Sequence, residues 1–220
     1  MAPFVRIPEQ LLKSVAAGRT GTPTLYHTGP PLVRYFFRMR LERLHRLLAA
    51  SPARRTSCLD FGGGAGVLLP TLAGMFAQVT CIDLEIVEAE RIVESYQLAN
   101  VRLVRADIQS AALAQAPFDV IVAADVLEHF RDLEPPIAAL ARWLAPGGFL
   151  ITSLPSESGF YRLLRRIFRV APPPDHFHSG EHVELALARG GFTLERAAAI
   201  PLGRSLLPLF LLGVWRRTTL

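Results

Sequence analysis

The sequence predicts an α/β fold built on a doubly wound, mostly parallel sheet. Three observations carry this. Short apolar runs alternate with helical patterns from Thr56 to Ser153, a glycine-rich turn follows the first run, and acidic residues close three successive runs.

The elements follow in order. Leu11–Ala17 reads as a short helix, and Gly18–Pro31, rich in Gly, Thr and Pro, as a loop. Leu32–Ala50 is a strong helical pattern that Pro52 stops. The alternation then begins. Thr56–Phe61 is a strand running into glycines, Val67–Phe76 a helix, Val79–Asp83 a strand and Glu85–Leu98 a helix. Val101–Arg105 is a strand followed by a short helix from Ile108. Phe118–Ala123 is a strand, Pro135–Leu144 a helix and Gly148–Ser153 a strand. These strands are almost continuously apolar, as strands covered on both faces must be. The tail differs. Gly159–Val170 is a basic helix, Ala171–Gly180 a Pro- and His-rich loop and Glu181–Arg189 a helix. Phe192–Ile200 and Pro208–Arg216 are two late strands, which suggests an antiparallel hairpin at the sheet edge.

Composition bounds the reading. A chain of 220 residues, 50% hydrophobic, suits one sizeable core and is short for two domains. The net charge of +5 admits nucleic acid, a membrane surface or an anionic ligand. Nucleic acid ranks low, because basic and aromatic residues do not interleave and no base-methylating Pro-Pro-Tyr motif follows the fourth strand. Cys58 and Cys81 each stand two positions before a strand-end Asp and read as small buried residues of adjacent strands. The chain starts without a basic-then-apolar leader, and the apolar stretch Leu206–Trp215 is broken by Pro208 and falls well short of the ~20 residues a membrane span needs. The expected compartment is the cytoplasm, with room for peripheral attachment at the inner membrane surface.

The segment Asp60-Phe61-Gly62-Gly63-Gly64-Ala65-Gly66 follows a strand and opens a helix. Glycines there let the backbone turn tightly and let a ligand approach it, and the helix start offers free N–H groups. Asp83 closes the next strand, where a carboxylate can accept both hydroxyls of a ribose. Asp107 closes the third, where it can accept from an amino group such as that of adenine. Ligands of open α/β sheets bind at these strand ends. A dinucleotide fits less well. Gly-x-Gly-x-x-Gly counted from Gly62 ends at Val67, and Asp60 would repel a diphosphate but tolerate a cation.

At these residues the sequence resembles the class I S-adenosylmethionine-dependent methyltransferases, in the branch of the ubiquinone-biosynthesis O-methyltransferases. The likeness runs from Leu59–Gly66 through Ile82-Asp83, Arg105-Ala106-Asp107 and Phe118–Ala123 to Asp125-Val126-Leu127-Glu128-His129 and Leu144–Gly148. It implies a Rossmann-like, seven-stranded sheet with an antiparallel C-terminal hairpin. It also implies S-adenosylmethionine as cofactor and S-adenosylhomocysteine as product. Carried over by position, Gly62, Gly64 and Gly66 line the methionine part and Asp60 organises the loop. Asp83 and Leu84 take the ribose, Asp107 and Ile108 hold the adenine, and Ala124 and Asp125 lie near the sulfonium and the substrate mouth. Gly63 stands where relatives often carry Cys or Ser, a departure expected to leave binding unaffected. One domain is expected over 1–220: an N-terminal helical segment over 1–52, the cofactor-binding core over 53–155, substrate-side helices and a lid loop over 156–190, and the hairpin over 191–220.

A hydroxyl acceptor calls for a general base, and His is the usual one. Asp175-His176-Phe177-His178 lies in a loop that in relatives folds over the site, so His178 is the first candidate and His176 the second, with His129 at the mouth as a third. Asp125, Glu128 and His129 share one side of a helical turn and could hold a divalent cation, as a similar Glu-x-x-Glu-His group does in the ubiquinone branch. Leu-Glu-His is nevertheless common in relatives without metal, so a capped helix start is the first reading and no metal is expected. Arg162, Arg165, Arg166 and Arg169 line one side of Gly159–Val170, a pattern that fits an anionic membrane surface or an ordinary surface helix. The function read from these residues is methylation, most directly O-methylation, of a small, apolar or lipid-linked acceptor. The alternative is a non-catalytic module that binds the cofactor or a partner.

Overall fold

The computed structural model describes residues 2–16, 30–108, 113–167, 176–201, 203–204 and 208–218. Its helices are α1 (Glu9–Val15), α2 (Pro31–Ala50), α3 (Leu69–Met75), α4 (Val87–Ser95), α5 (Glu134–Trp143), α6 (Gly159–Ile167) and α7 (Gly180–Arg189). Its strands are β1 (Ser57–Phe61), β2 (Gln78–Asp83), β3 (Val101–Arg105), β4 (Phe118–Ala124), β5 (Leu144–Pro155), β6 (Phe192–Ile200) and β7 (Phe210–Arg217). Residues 109–112 of the helix expected from Ile108, residues 18–29 of the Gly18–Pro31 loop and the first half of the Ala171–Gly180 loop lie outside the described residues.

The strands form one seven-stranded sheet in the order β3-β2-β1-β4-β5-β7-β6. β1 to β5 pair in parallel, and β7 enters antiparallel between β5 and β6. The C-terminal hairpin read from the sequence is therefore present, with its second strand inside the sheet and its first at the edge. The chain runs outward from β1 in one direction and from β4 in the other. Their neighbouring carboxyl ends form the switch point where such sheets bind ligands.

Side chains alternate between the faces, as strand geometry requires. Leu59, Phe61, Ile121 and Ala123 point to the layer containing α5 and α7, where Ile137, Leu140, Val183 and Leu187 cover them. Cys58, Val120 and Val122 point to the opposite layer, where Leu44 and Leu48 of α2, Leu69 and Leu72 of α3 and Ile92 of α4 cover them. Both cysteines are free and buried there. A fully buried Leu or Phe contributes roughly 1.5–3 kcal/mol, so both layers hold the sheet firmly. Asp60 shares its face with Cys58 and is the polar exception among these buried positions, 2% exposed.

β5 is longer at both ends than Gly148–Ser153. Leu144 pairs with Phe118 beyond a register shift, and Pro155 pairs with Phe210. The extension carries the chain into a turn that bears on the site.

Candidate active site

β1 delivers Asp60 to the base of the glycine loop, and the loop turns at once. Gly62, Gly64 and Gly66 have φ of +71°, +52° and +75°. The backbone over Gly64 is open: a Cβ there would meet no atom within 4 Å. Gly63 is the opposite case. A Cβ there would lie 2.6 Å from Cys81 Sγ and 2.7 Å from Asp60 Oδ2. A side chain at Gly63 would therefore require Cys81 or Asp60 to shift.

Asp83 ends β2 with its carboxylate turned to the loop. Oδ2 accepts from Gly64 N at 2.8 Å and Oδ1 from Glu85 N at 3.1 Å. Each oxygen keeps a lone pair for a ligand hydroxyl. Asp60 Oδ2 has no hydrogen-bond partner among the described residues. Burial, and next the Asp83 carboxylate, push the Asp60 carboxyl up to about 7. A cation arriving over Gly64 would relieve both the burial and the repulsion. The loop, the unpartnered carboxyl and the strand-end Asp thus fit an amino-bearing, phosphate-free nucleoside such as the implied cofactor. Leu84 is exposed beside Asp83, Asp107 is exposed after β3, and Ile108 next to it is buried.

The second half of the site stands at the end of β4. Ala124 closes the strand, and Asp125 takes a left-handed conformation with φ of +53°. Its N–H donates to Ser153 O at 2.8 Å. Its carboxylate pairs with Arg40 of α2, whose guanidinium lies 5.3 Å from the Phe37 ring centre and 5.0 Å from that of Phe210. Arg40 is only 3% exposed. Asp125 therefore does not join Glu128 and His129 as their spacing suggested, because the chain forms a single 3-10 turn at Leu127–His129 and Asp125 faces α2 instead.

Glu128 and His129 meet His176. Each of the three offers one ligand atom, all within 4.8 Å of one another. The rings of His129 and His176 meet edge to face at 4.7 Å. Glu128 is fully buried, and burial pushes its carboxyl up to about 7 against the pull of His176 and Arg40. His176 Nδ1 lies 3.3 Å from Glu157 Oε1, which also accepts from Arg165 Nη1 at 2.8 Å. His178 is engaged elsewhere. Its Nδ1 lies 3.2 Å from His182 Nδ1 and its Nε2 3.2 Å from Arg131 O.

Arg40, Glu157 and Arg165 escaped the sequence reading as site residues. A signal existed for Arg40: it lies on the buried face of α2 with Leu41, Leu44 and Leu48, where a charge needs a partner. Arg165 was grouped with the exposed arginines, but it turns inward over the Tyr161 ring at 4.9 Å. Arg169 lies outside the described residues.

A family model described as a methyltransferase domain matches residues 33–197. An uncharacterized methyltransferase of Mycobacterium bovis (strain ATCC BAA-935 / AF2122/97) is 34% identical over 105 residues, 47% of this chain and 53% of that protein. A ubiquinone biosynthesis O-methyltransferase of Thiobacillus denitrificans is 34% identical over 115 residues, 50% of this chain and 49% of that protein. The chain thus spans about half the length of the curated relatives it matches. Among solved structures, the N-methyltransferase NodS of Bradyrhizobium japonicum WM9 in complex with S-adenosyl-L-homocysteine superposes with a TM-score of 0.70 at 24% identity, covering 96% of this chain and 98% of that one. The magnesium protoporphyrin IX methyltransferase of Synechocystis PCC 6803, with the same bound product, gives 0.65 at 17%, covering 95% and 93%. At these identities the two structures share the fold.

Proposed function

The chain belongs to the methyltransferase-domain family, and from that premise we propose that it methylates a hydroxyl of a small, apolar or lipid-linked acceptor with S-adenosylmethionine as donor. One observation carries the reading. A cation-seeking glycine loop, with Asp60 buried beneath it, stands at the carboxyl end of β1. A cluster of imidazoles and carboxyls stands at the carboxyl end of the adjacent β4. When bound, the cofactor supplies an electrophilic methyl group on a sulfonium.

The chain's own residues do the rest. Asp60 and the Gly62–Gly66 backbone hold the amino-acid end, and Asp83 takes the ribose hydroxyls. The ion pair of Arg40 and Asp125 ties α2 to the end of β4 beside the cluster. Phe37, Phe210 and Tyr161 meet edge to face in sequence beside it, with ring centres 5.3 and 6.0 Å apart, and apolar packing of this kind suits an apolar acceptor. An imidazole of the cluster takes the proton that the acceptor hydroxyl gives up.

The lipid-linked reading rests on α6. Arg162 and Arg166 are exposed beside Leu163 and Ile167, which are 52% and 60% exposed. Such a face suits the boundary of an anionic membrane. No described helix is long and apolar enough to cross a membrane.

The test is transfer of radiolabel from S-adenosylmethionine into a cell extract, with products partitioned into organic, aqueous and macromolecular fractions. Protein-dependent label in the organic fraction, lost in Asp83→Ala together with S-adenosylhomocysteine binding, is the expected result. Label confined to the aqueous or macromolecular fraction would overturn the apolar acceptor. Cofactor binding without label anywhere would overturn catalysis.

A further inference from the structure

We propose that Glu157 is a positioning residue that accepts the Nδ1–H of His176 and so presents the bare Nε2 of that imidazole to the acceptor. The inference rests on the methyl-transfer reading above and names the group that prepares its base.

Glu157 stands two residues after the end of β5 and has φ of +48°, a left-handed conformation that is strained for a non-glycine residue. Strain of this kind persists where neighbours over-determine it, and here they do. The hydroxyls of Ser156 and Ser158, on either side, both donate to one acceptor, Pro208 O. Ser156 N donates to Leu209 O at 3.0 Å, and Ser158 Oγ accepts from Tyr161 N at 3.1 Å at the start of α6. The turn is thereby pinned to the chain entering β7 and to α6 at once. Its middle residue has one direction in which to point.

In that direction lie His176 Nδ1 at 3.3 Å and Arg165 Nη1 at 2.8 Å, on the same oxygen. Glu157 is held below its ordinary value first by the His176 contact and then, against burial, by Arg165, so it remains an ionised acceptor. A carboxylate only accepts, so the shared hydrogen must sit on His176 Nδ1. In the neutral ring this leaves Nε2 unprotonated, the form a general base needs. Arg165 keeps Glu157 from swinging away, and the His129 ring, edge on, limits rotation of His176.

The test uses the full chain labelled with 15N-histidine and loaded with S-adenosylhomocysteine, with the His176 signals assigned by their loss in His176→Asn. The expected spectrum shows neutral His176 protonated at Nδ1 in wild type and in Glu157→Asp, and shifted toward Nε2 protonation in Glu157→Ala and Glu157→Leu. Label transfer into the same cell extract is expected to fall at least tenfold in Glu157→Ala and to recover in part in Glu157→Asp, with cofactor affinity unchanged in both. The proposal is overturned if wild-type His176 is protonated at Nε2, if Glu157→Ala and Glu157→Leu leave its tautomer as it was, or if the tautomer shifts while transfer does not fall. A wild type that binds cofactor and transfers no label would sink the methyl-transfer reading instead, and the tautomer assignment would stand or fall on its own spectrum.

Discussion

Arg40 in the middle of α2 forms an ion pair with Asp125, the first residue after β4, and both sit where neither would be stable alone. Arg40 is almost fully buried between two phenylalanine rings, and Asp125 is held at φ +53°. Removing Arg40 leaves the Asp125 carboxylate, 23% exposed, without its partner, so the cost lies at the lower end of the about 3–5 kcal/mol of a fully buried pair. Arg40→Met is therefore expected to lower the urea midpoint by an amount corresponding to about 3 kcal/mol, and the double variant Arg40→Met/Asp125→Asn to recover part of it. A double variant no more stable than Arg40→Met would show that packing of the guanidinium, not its charge, matters at this position.

The two glycines in the middle of the loop should fail in different ways. Gly63→Ser places its Cβ into Asp60 Oδ2 and Cys81 Sγ, so it should destabilise the free protein. Gly64→Ala has open space for its Cβ but sits at φ +52°, which costs about 1–2 kcal/mol, and its methyl stands over the backbone a ligand must approach. It should fold and lose affinity for S-adenosylhomocysteine. Calorimetry and thermal unfolding of both variants separate the effects. Equal loss of stability in the two would contradict the packing described for Gly63.

The order of elements was legible because each obeys a local rule: apolar runs covered on both faces, prolines at the starts of α3 and α5, and glycines where the chain must turn. The placement of Asp60 and Asp83 beside the glycine loop was legible for the same reason, since strand ends are set by their strands. The grouping at the end of β4 was not. Asp125 and Glu128 lie three apart in the sequence and turn to different partners, because Asp125 finds Arg40 from α2 while Glu128 finds His176 from the loop before α7. No periodicity within one element encodes a meeting of three segments. His178 and His176 likewise share one motif, yet only His176 joins the imidazole cluster.

Asp60 and Glu128 give the free protein a stability that depends on pH. Both carboxyls are raised to about 7 by burial, from ordinary values of 3.8 and 4.5. A raised carboxyl makes the folded state bind more protons than the unfolded one. The stabilisation is complete below the ordinary values and is lost as pH rises through about 7. The cofactor-free protein should therefore melt lower at pH 8 than at pH 5, and Asp60→Asn with Glu128→Gln should flatten that slope. Binding has the opposite sign. A cationic ligand pairs with ionised Asp60, so affinity for S-adenosylhomocysteine should rise with pH up to about 7 and level above it, and Asp60→Asn should remove the rise. An unchanged melting slope in the double variant would place the pH dependence elsewhere.

The two histidines of the loop before α7 make the sharpest contrast. His178 has both ring nitrogens engaged, one with His182 and one with the Arg131 carbonyl, so its ring ties that loop to the segment after the 3-10 turn. His176 spends one nitrogen on Glu157 and stands against His129 beside the end of β4. A base that removes a proton during transfer is worth about 10²–10⁴-fold in rate. His176→Asn should therefore cut label transfer into that range without weakening cofactor binding. His178→Asn should lower the melting temperature and leave most of the transfer intact. Were His178→Asn the variant that abolished transfer while His176→Asn retained it, the loop would have to rearrange on acceptor binding to bring His178 inward, and the imidazole pair at the end of β4 would be a packing contact.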